Sequence, residues 1–229
     1  MQHIACLHLN QTLNKMPLNI TSGVSTAKAF GFSTKSYVAG TSTFTSGSGN
    51  FTVPASVYSI TLTMIGGGGN GNANTNGSPG PGGGSGAYFS NVVVSVTPAQ
   101  VISYSVGAAG ASNSINPYQY DGTSSTFGSL TAGGGRGGHW RNTNTPNPSD
   151  ELAGEAGTAT GTGGVNGTAG SNGGYYGGAG TGASSPYGTG GAGTGGTGGS
   201  ASGYGAGGGG GGNNSGQGSG SNGFITLTW

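Results

Sequence analysis

Val57-Tyr-Ser-Ile-Thr-Leu-Thr-Met-Ile65 is the stretch that decides the fold. Tyr58, Ile60, Leu62 and Met64 alternate with Ser59, Thr61 and Thr63, and that period of two is the signature of a half-buried strand. Pro54 sits just ahead of it, where a strand tolerates proline. Working outward, Ala87–Val96 and Val101–Val106 read as two further strands joined by the turn Thr97-Pro-Ala-Gln100, and Ile102, Tyr104 and Val106 share one face. Ser125–Thr131 is a weaker fourth strand. The last seven residues, Gly223-Phe-Ile-Thr-Leu-Thr-Trp229, alternate again and follow a long glycine tract. They are expected to return and pair with the 57–65 strand, which makes the glycine tract an insertion within one β-domain and not a free tail.

The composition narrows the function classes. The chain has 58 glycines in 229 residues, 4% charged residues and a formal net charge of +1, against about 25% charged residues and about 7% glycine in an ordinary domain. Disordered chains usually combine low hydrophobicity with high net charge, and this chain lacks that self-repulsion. Nucleic acid is excluded as a partner because phosphate neutralisation needs clustered Lys and Arg, and five basic residues are scattered over the whole chain. No apolar run approaches the roughly 18 residues that span a membrane, so membrane insertion is not expected. The single cysteine, Cys6, allows no internal disulfide framework. The start, Met1 to Lys15, lacks a basic region and a small-residue cleavage site, so no signal peptide is expected there, and Met16 is an alternative start.

Glycine spacing organises the second half. Gly161, Gly164, Gly167, Gly170 and Gly173 recur every third residue; Gly174, Gly177 and Gly180 restart the phase, and Gly190, Gly193, Gly196 and Gly199 repeat it. Three residues per turn is the period of the extended polyproline II helix. Collagen shares it but needs proline at about 15% or more, and Pro186 is the only proline between Asp150 and Gly223. The remaining solution is a lattice of polyglycine helices whose backbones approach closely because no Cβ intervenes. The expected organisation is therefore all-β. Residues 1–45 form an N-terminal docking segment, 46–133 with 223–229 form a small β-sandwich-like domain closed by the C-terminal strand, and 134–222 form a polyglycine II-like insertion.

Candidate chemistry is sparse. His139-Trp140-Arg141, in a polar loop, could stack on a sugar ring and hydrogen-bond it; the plainer reading is a loop whose Trp covers the edge of the β-domain. Tyr118, Tyr120, Tyr175, Tyr176, Tyr187 and Tyr204 offer rigid amphipathic contact surface among Gly, Ser and Asn, the palette of binding loops, or else they cover the ends of the lattice. Asp150, Glu151 and Glu155 are the one acidic cluster, and a glycosidase needs two carboxylates facing across a cleft. His3, His8 and His139 form no zinc constellation with Cys6, and no Gly-x-x-x-x-Gly-Lys-Ser/Thr phosphate loop occurs. No catalytic residue, metal or cofactor is expected, and the chain is read as a non-enzyme.

The ordered set of blocks carries a family likeness. Phe51-Thr-Val-Pro-Ala-Ser-Val-Tyr-Ser-Ile-Thr-Leu-Thr-Met-Ile-Gly-Gly-Gly-Gly69 is followed by Gly86-Ala-Tyr-Phe89, Val96-Thr-Pro-Ala-Gln100, Tyr104-Ser-Val-Gly107, Thr123-Ser-Ser-Thr-Phe-Gly128, Gly207–Gly212 and Asn222-Gly-Phe-Ile-Thr-Leu-Thr-Trp229. Over roughly residues 46–229 this resembles the glycine-rich domain of tailed-bacteriophage tail fibre and fibre-tip virion proteins. The resemblance implies a virion location at the tail or particle surface and attachment to other virion proteins through the N-terminal segment. It also implies non-covalent adhesion to a bacterial surface glycan or outer-membrane protein. A fibre setting would allow a homo-oligomer, commonly a trimer, although no coiled-coil or shaft repeat is present. The alternatives are a capsid or baseplate decoration protein with a purely architectural role, and an ice- or surface-binding polyglycine protein that would leave the β-framed half without a task.

Overall fold

A computed structural model describes residues 38–73, 79–110, 121–140, 151–174, 178–212 and 215–229. The described chain is all-β, with fourteen strands in chain order. These are β1 (Thr41–Phe44), β2 (Ser48–Thr52), β3 (Ser59–Ile65), β4 (Tyr88–Ser95), β5 (Val101–Ser105), β6 (Ser125–Phe127), β7 (Leu130–Ala132), β8 (His139–Trp140), β9 (Glu151–Leu152), β10 (Ala159–Thr160), β11 (Gly164–Val165), β12 (Gly188–Thr189), β13 (Ser202–Gly203) and β14 (Phe224–Thr228). Two five-stranded antiparallel sheets form the sandwich, in the orders β1-β14-β3-β4-β11 and β10-β7-β6-β5-β2. The C-terminal strand does pair with β3, through Leu227↔Leu62 and Ile225↔Met64, and its other edge takes β1. It therefore lies inside its sheet, not at the edge.

Alternation places Ile60, Leu62, Met64, Phe89, Ile225 and Leu227 on the inner face of the first sheet, all fully buried, against Phe51, Ile102, Phe127 and Ala132 of the second. Each such large side chain contributes about 1.5–3 kcal/mol. One expectation fails at the start of β3. Tyr58 is 57% exposed, and Val57 is the inward residue. The chain turns at Ser56 (φ 70°), with the Val57 N–H donating to the Pro54 carbonyl, and the turn ends before Ser59. The alternation is reset there, so Tyr58 does not belong to the strand's buried face.

The polyglycine region is not one insertion. Four connections at the same end of the sandwich expand into paired segments: 66–87 between β3 and β4, 106–124 between β5 and β6, 133–158 between β7 and β10, and 166–223 between β11 and β14. Residues 159–165, in the middle of the glycine-rich half, return to the sandwich as one short strand in each sheet. Ser125 fixes the junction: its hydroxyl donates to the Ile65 carbonyl (2.6 Å) and accepts the Gly107 N–H (2.9 Å).

Hydrogen-bond partners within the lattice repeat every third residue, as the threefold extended helix requires. Along 80–87, Gly82 and Ser85 donate to the carbonyls of Ser171 and Thr168, Gly83 and Gly86 to Gly208 and Gly205, and Gly84 and Ala87 to Arg136 and Gly133. Its carbonyls accept from three other segments, around Gly180–Ala183, Gly66–Asn72 and Gly154–Gly157. The segment is thus surrounded on all sides by backbone. Segments 66–73 and 205–212 are enclosed in the same way, and the three bond in a closed triangle. Gly69 donates to Gly84, Gly83 to Gly208, and Gly208 to Gly69, each at 2.9 Å.

This arrangement explains which glycines come in runs. Gly66–Gly69, Gly82–Gly84 and Gly207–Gly212 belong to the enclosed segments, where every residue faces a neighbouring backbone. Outer segments need glycine only where they face inward, which gives Gly167, Gly170, Gly190 and Gly193 their spacing of three. Gly161 and Gly164 continue the period in sequence but not in the lattice. Gly161 (φ 117°) turns the chain between β10 and β11, and Gly164 packs against the Phe89 ring.

Asn70 is a large polar side chain fully buried in the lattice. Asn70, on 66–73, accepts the Gly220 N–H on Oδ1 at 2.7 Å, while its Nδ2 is buried without a partner. Asn70→Ala strips Gly220 of its acceptor but also removes the orphan donor. The expected net destabilisation is therefore about 1–2 kcal/mol, read by urea denaturation; no loss at all would mean that water reaches this site.

Candidate recognition surfaces

The molecule is polar in the geometric sense. Gly40 and Trp229 exchange backbone hydrogen bonds (2.9 and 3.0 Å) beside Thr41 and Thr228, at the end of the sandwich away from the lattice. The short turns at 53–58, 96–100, 128–129 and 161–163 share that end. The glycine segments run from the other end and finish together: Asn72 meets Pro81, Gly80 meets Gly211 and Gly180, Gly138 meets Asn70, and Gly212 meets Gly196. The segment ends at residues 73 and 79, 138 and 153, 174 and 178, 193 and 198, and 212 and 215 thus lie at a single tip. The segments at 107–110 and 121–123 also point that way, with Gly110 bonded to Gly68.

The candidates that lie within the described residues divide between the two ends of the lattice. His139 and Trp140 form β8, whose backbone pairs with Leu152 and Glu151 of β9 beyond Gly138. The loop expected at that position is therefore a two-stranded ribbon at its base. Tyr118, Tyr120, Arg141, Tyr175 and Tyr176 lie outside the described residues. The chain on either side of them is described: Gly110 and Asp121, Trp140 and Glu151, and Gly174 and Gly178, which are bonded to each other at 3.1 Å. Asp121 accepts the Gly137 N–H at 2.8 Å, tying two of these approaches together.

Tyr187 and Tyr204 are elsewhere. They sit at the sandwich end of the lattice, in and beside the β12–β13 hairpin, over the outer side of the first sheet. Tyr187 makes edge contacts with Tyr88 (6.2 Å) and Phe224 (5.1 Å), and Tyr204 lies 4.9 Å from Phe224, measured between ring centroids. Tyr88 and Phe224 flank Ile65 in register, so this aromatic group covers Ile65 from outside and leaves it fully buried. Sequence reasoning missed Tyr88 and Phe224 as partners of the two tyrosines. Their place on the outward phase of β4 and β14 was readable, but the hairpin folded over them was not.

Charged groups do little here. Arg136 and Glu155 form an ion pair at 3.0 Å with both side chains well exposed, at 60% and 67%, a type of contact that is worth about 0–1 kcal/mol. Among the described residues no group of three or more His, Cys, Asp or Glu side chains could hold a metal ion. No helix of the described residues is long and apolar enough to cross a membrane.

The geometry defines a β-sandwich whose end connections build a polyglycine lattice with a many-stranded tip. The chain belongs to a family described as a glycine-rich domain, whose sequence profile matches residues 41–228, from the first residue of β1 to the last of β14. No curated protein matches the chain.

Proposed function

We propose that this protein is a virion component of a tailed bacteriophage, at a tail fibre or its tip, that binds the host cell surface without covalent chemistry. The observation that carries the reading is the opposition of the two poles. The chain enters at Gly40 on one pole, and the glycine segments, the enclosed 66–73 and 205–212 among them, end together at the other. Anchoring from the N-terminal side leaves the tip facing outward, as an adhesin needs. The block order described above adds the resemblance to phage fibre proteins, and the near absence of charge suits a surface that avoids indiscriminate sticking.

Adhesion would then be the task of the aromatic and polar residues singled out in the sequence: His139 and Trp140, whose backbone forms β8, with Tyr118, Tyr120, Arg141, Tyr175 and Tyr176, which lie outside the described residues. The partner class is a bacterial surface glycan or an outer-membrane protein, with other virion proteins bound through the N-terminal segment ahead of β1, since Thr41–Phe44 belongs to the sandwich. The test is adsorption competition. Purified full-length chain, incubated with host bacteria before phage is added, should lower adsorption. A variant in which residues 111–120, 141–150 and 175–177 are replaced by Gly and Ser at equal length, with His139→Ser and Trp140→Ser, should fail to compete while its sandwich still melts cooperatively. Equal competition by both proteins would move adhesion off the tip, and incorporation into particles without any competition would favour the architectural role.

A further inference from the structure

The outward face of the first sheet is paved with threonine. Thr41, Thr228 and Thr61 stand side by side on β1, β14 and β3, with Val93 of β4 next in the row; Thr43, Thr226 and Thr63 form the adjoining row. All six threonines are exposed or half-exposed, and Val93 is 70% exposed. The second row ends at a β-bulge, where Ser90 and Asn91 together oppose Thr63 and Asn91 takes φ 53°. The Thr63 hydroxyl donates to Asn91 Oδ1 (3.3 Å) and accepts the Asn91 N–H (3.2 Å), so the exposed carboxamide is held beside the threonines. Bulges commonly re-aim a side chain in this way. The third row, Phe224, Ile65 and Tyr88, is overlaid by Tyr187 and Tyr204, which closes the paved area with an aromatic wall on the lattice side.

Three properties of this face select its occupant. First, β1, β3, β4, β11 and β14 carry no Asp, Glu, Lys or Arg, so an ionic ligand would gain no Coulombic attraction there. Second, the hydroxyls recur about 4.8 Å apart across strands and about 6.8 Å apart along them, each beside its own methyl group. This gives an alternation of donor–acceptor and apolar points. A neutral polysaccharide has the matching alternation of hydroxyls and C–H faces, and the electron-rich face of a tyrosine ring suits the C–H side of a sugar. Third, protein partners are usually anchored by aromatic or Arg side chains in desolvated pockets, and a flat hydroxyl pavement offers none.

We propose that the outward face of the first sheet is a second binding surface, for a linear neutral polysaccharide that crosses the threonine rows and ends against Tyr204. It is independent of the tip and does not require the adhesin reading. The experiment is backbone-amide NMR on the full chain, titrated with cellohexaose and separately with maltohexaose. Resonances of Thr61, Thr63, Asn91, Val93, Thr226 and Thr228 should move at millimolar saccharide. The double variant Thr61→Val/Thr228→Val keeps the β-branched shape and removes two hydroxyls for which no side-chain partner is needed. It should weaken binding by about tenfold while melting as the parent does, and Tyr204→Ala should weaken binding in the same assay. If neither saccharide moves these amides, if the shifts fall only at the tip, or if the valine variant titrates like the parent, the proposal is wrong.

Discussion

Gly68→Ala should abolish or severely weaken folding, although it adds a single methyl group. A Cβ on Gly68 would lie inside the van der Waals envelope of the Ala206 carbonyl, and the atoms it meets are backbone, not the yielding tip of a side chain. Gly68 also donates to the Ser221 carbonyl and accepts from Gly110, so the 66–73 segment cannot retreat without breaking bonds to other segments. Overpacking in cores costs about 1–3 kcal/mol when rotamers and backbone can adjust. Here there is no rotamer to change, and we expect the upper end of that range or insoluble protein. Gly196→Ala is the control. Its Cβ meets nothing within 4 Å and its φ is not positive, so a reduction in unfolded-state entropy should stabilise the chain by about 0.4–1 kcal/mol. Thermal melts of the two variants should move in opposite directions; a similar small change in both would mean that the segments are not packed as described.

Removing β14 should be as damaging as breaking the lattice. Without residues 224–229, β1 and β3 each lose their partner on that side, and the core loses Ile225 and Leu227 together. The Trp229 ring, tilted against Phe51 at 5.5 Å between centroids and covering Gly40, goes too. We expect the truncated chain not to accumulate as folded protein. The point variant Leu227→Ala gives the measurable form of the same prediction, a loss of about 2–5 kcal/mol by denaturant titration for a fully buried leucine. A loss below about 1 kcal/mol would show that the inner face can collapse around the cavity.

How much of this was legible in the sequence follows from the range of the interactions. The alternation in 59–65 and 224–228 is local, so both strands and their pairing could be read. Tyr58 was misread because a single residue at positive φ, Ser56, shifts the phase, and phase is invisible until the turn is known. The period of three was readable as well, yet the distinction between Gly167 and Gly66–Gly69 depends on how many neighbours a segment has, which is a property of the assembled lattice. The same holds for the recognition surfaces. Thr41-Ser-Thr43, Thr61-Leu-Thr63 and Thr226-Leu-Thr228 each look like ordinary solvent-facing strand residues, and only the register of three distant strands makes them a continuous face. Nothing in the chain order separates Tyr187 and Tyr204 from the candidates at the tip, because that separation arises from the direction in which each glycine segment runs.

The bonding pattern of the lattice has a further consequence for how such a protein can change over time. A threefold segment advances about 9 Å per turn, and sliding it by one turn presents the same backbone groups to the same neighbours. Glycine alone therefore does not record where a segment should stop. That information is held by side chains that replace a backbone acceptor, among them Asn70 for Gly220, Asp121 for Gly137, Asn222 for Ala109, Asn172 for Ala153 and Ser221 for Ala206. Connections beyond these stops can be exchanged or lengthened while the packed interior stays as it was. Diversification of the tip and conservation of the scaffold thus become separate problems, solved by different residues.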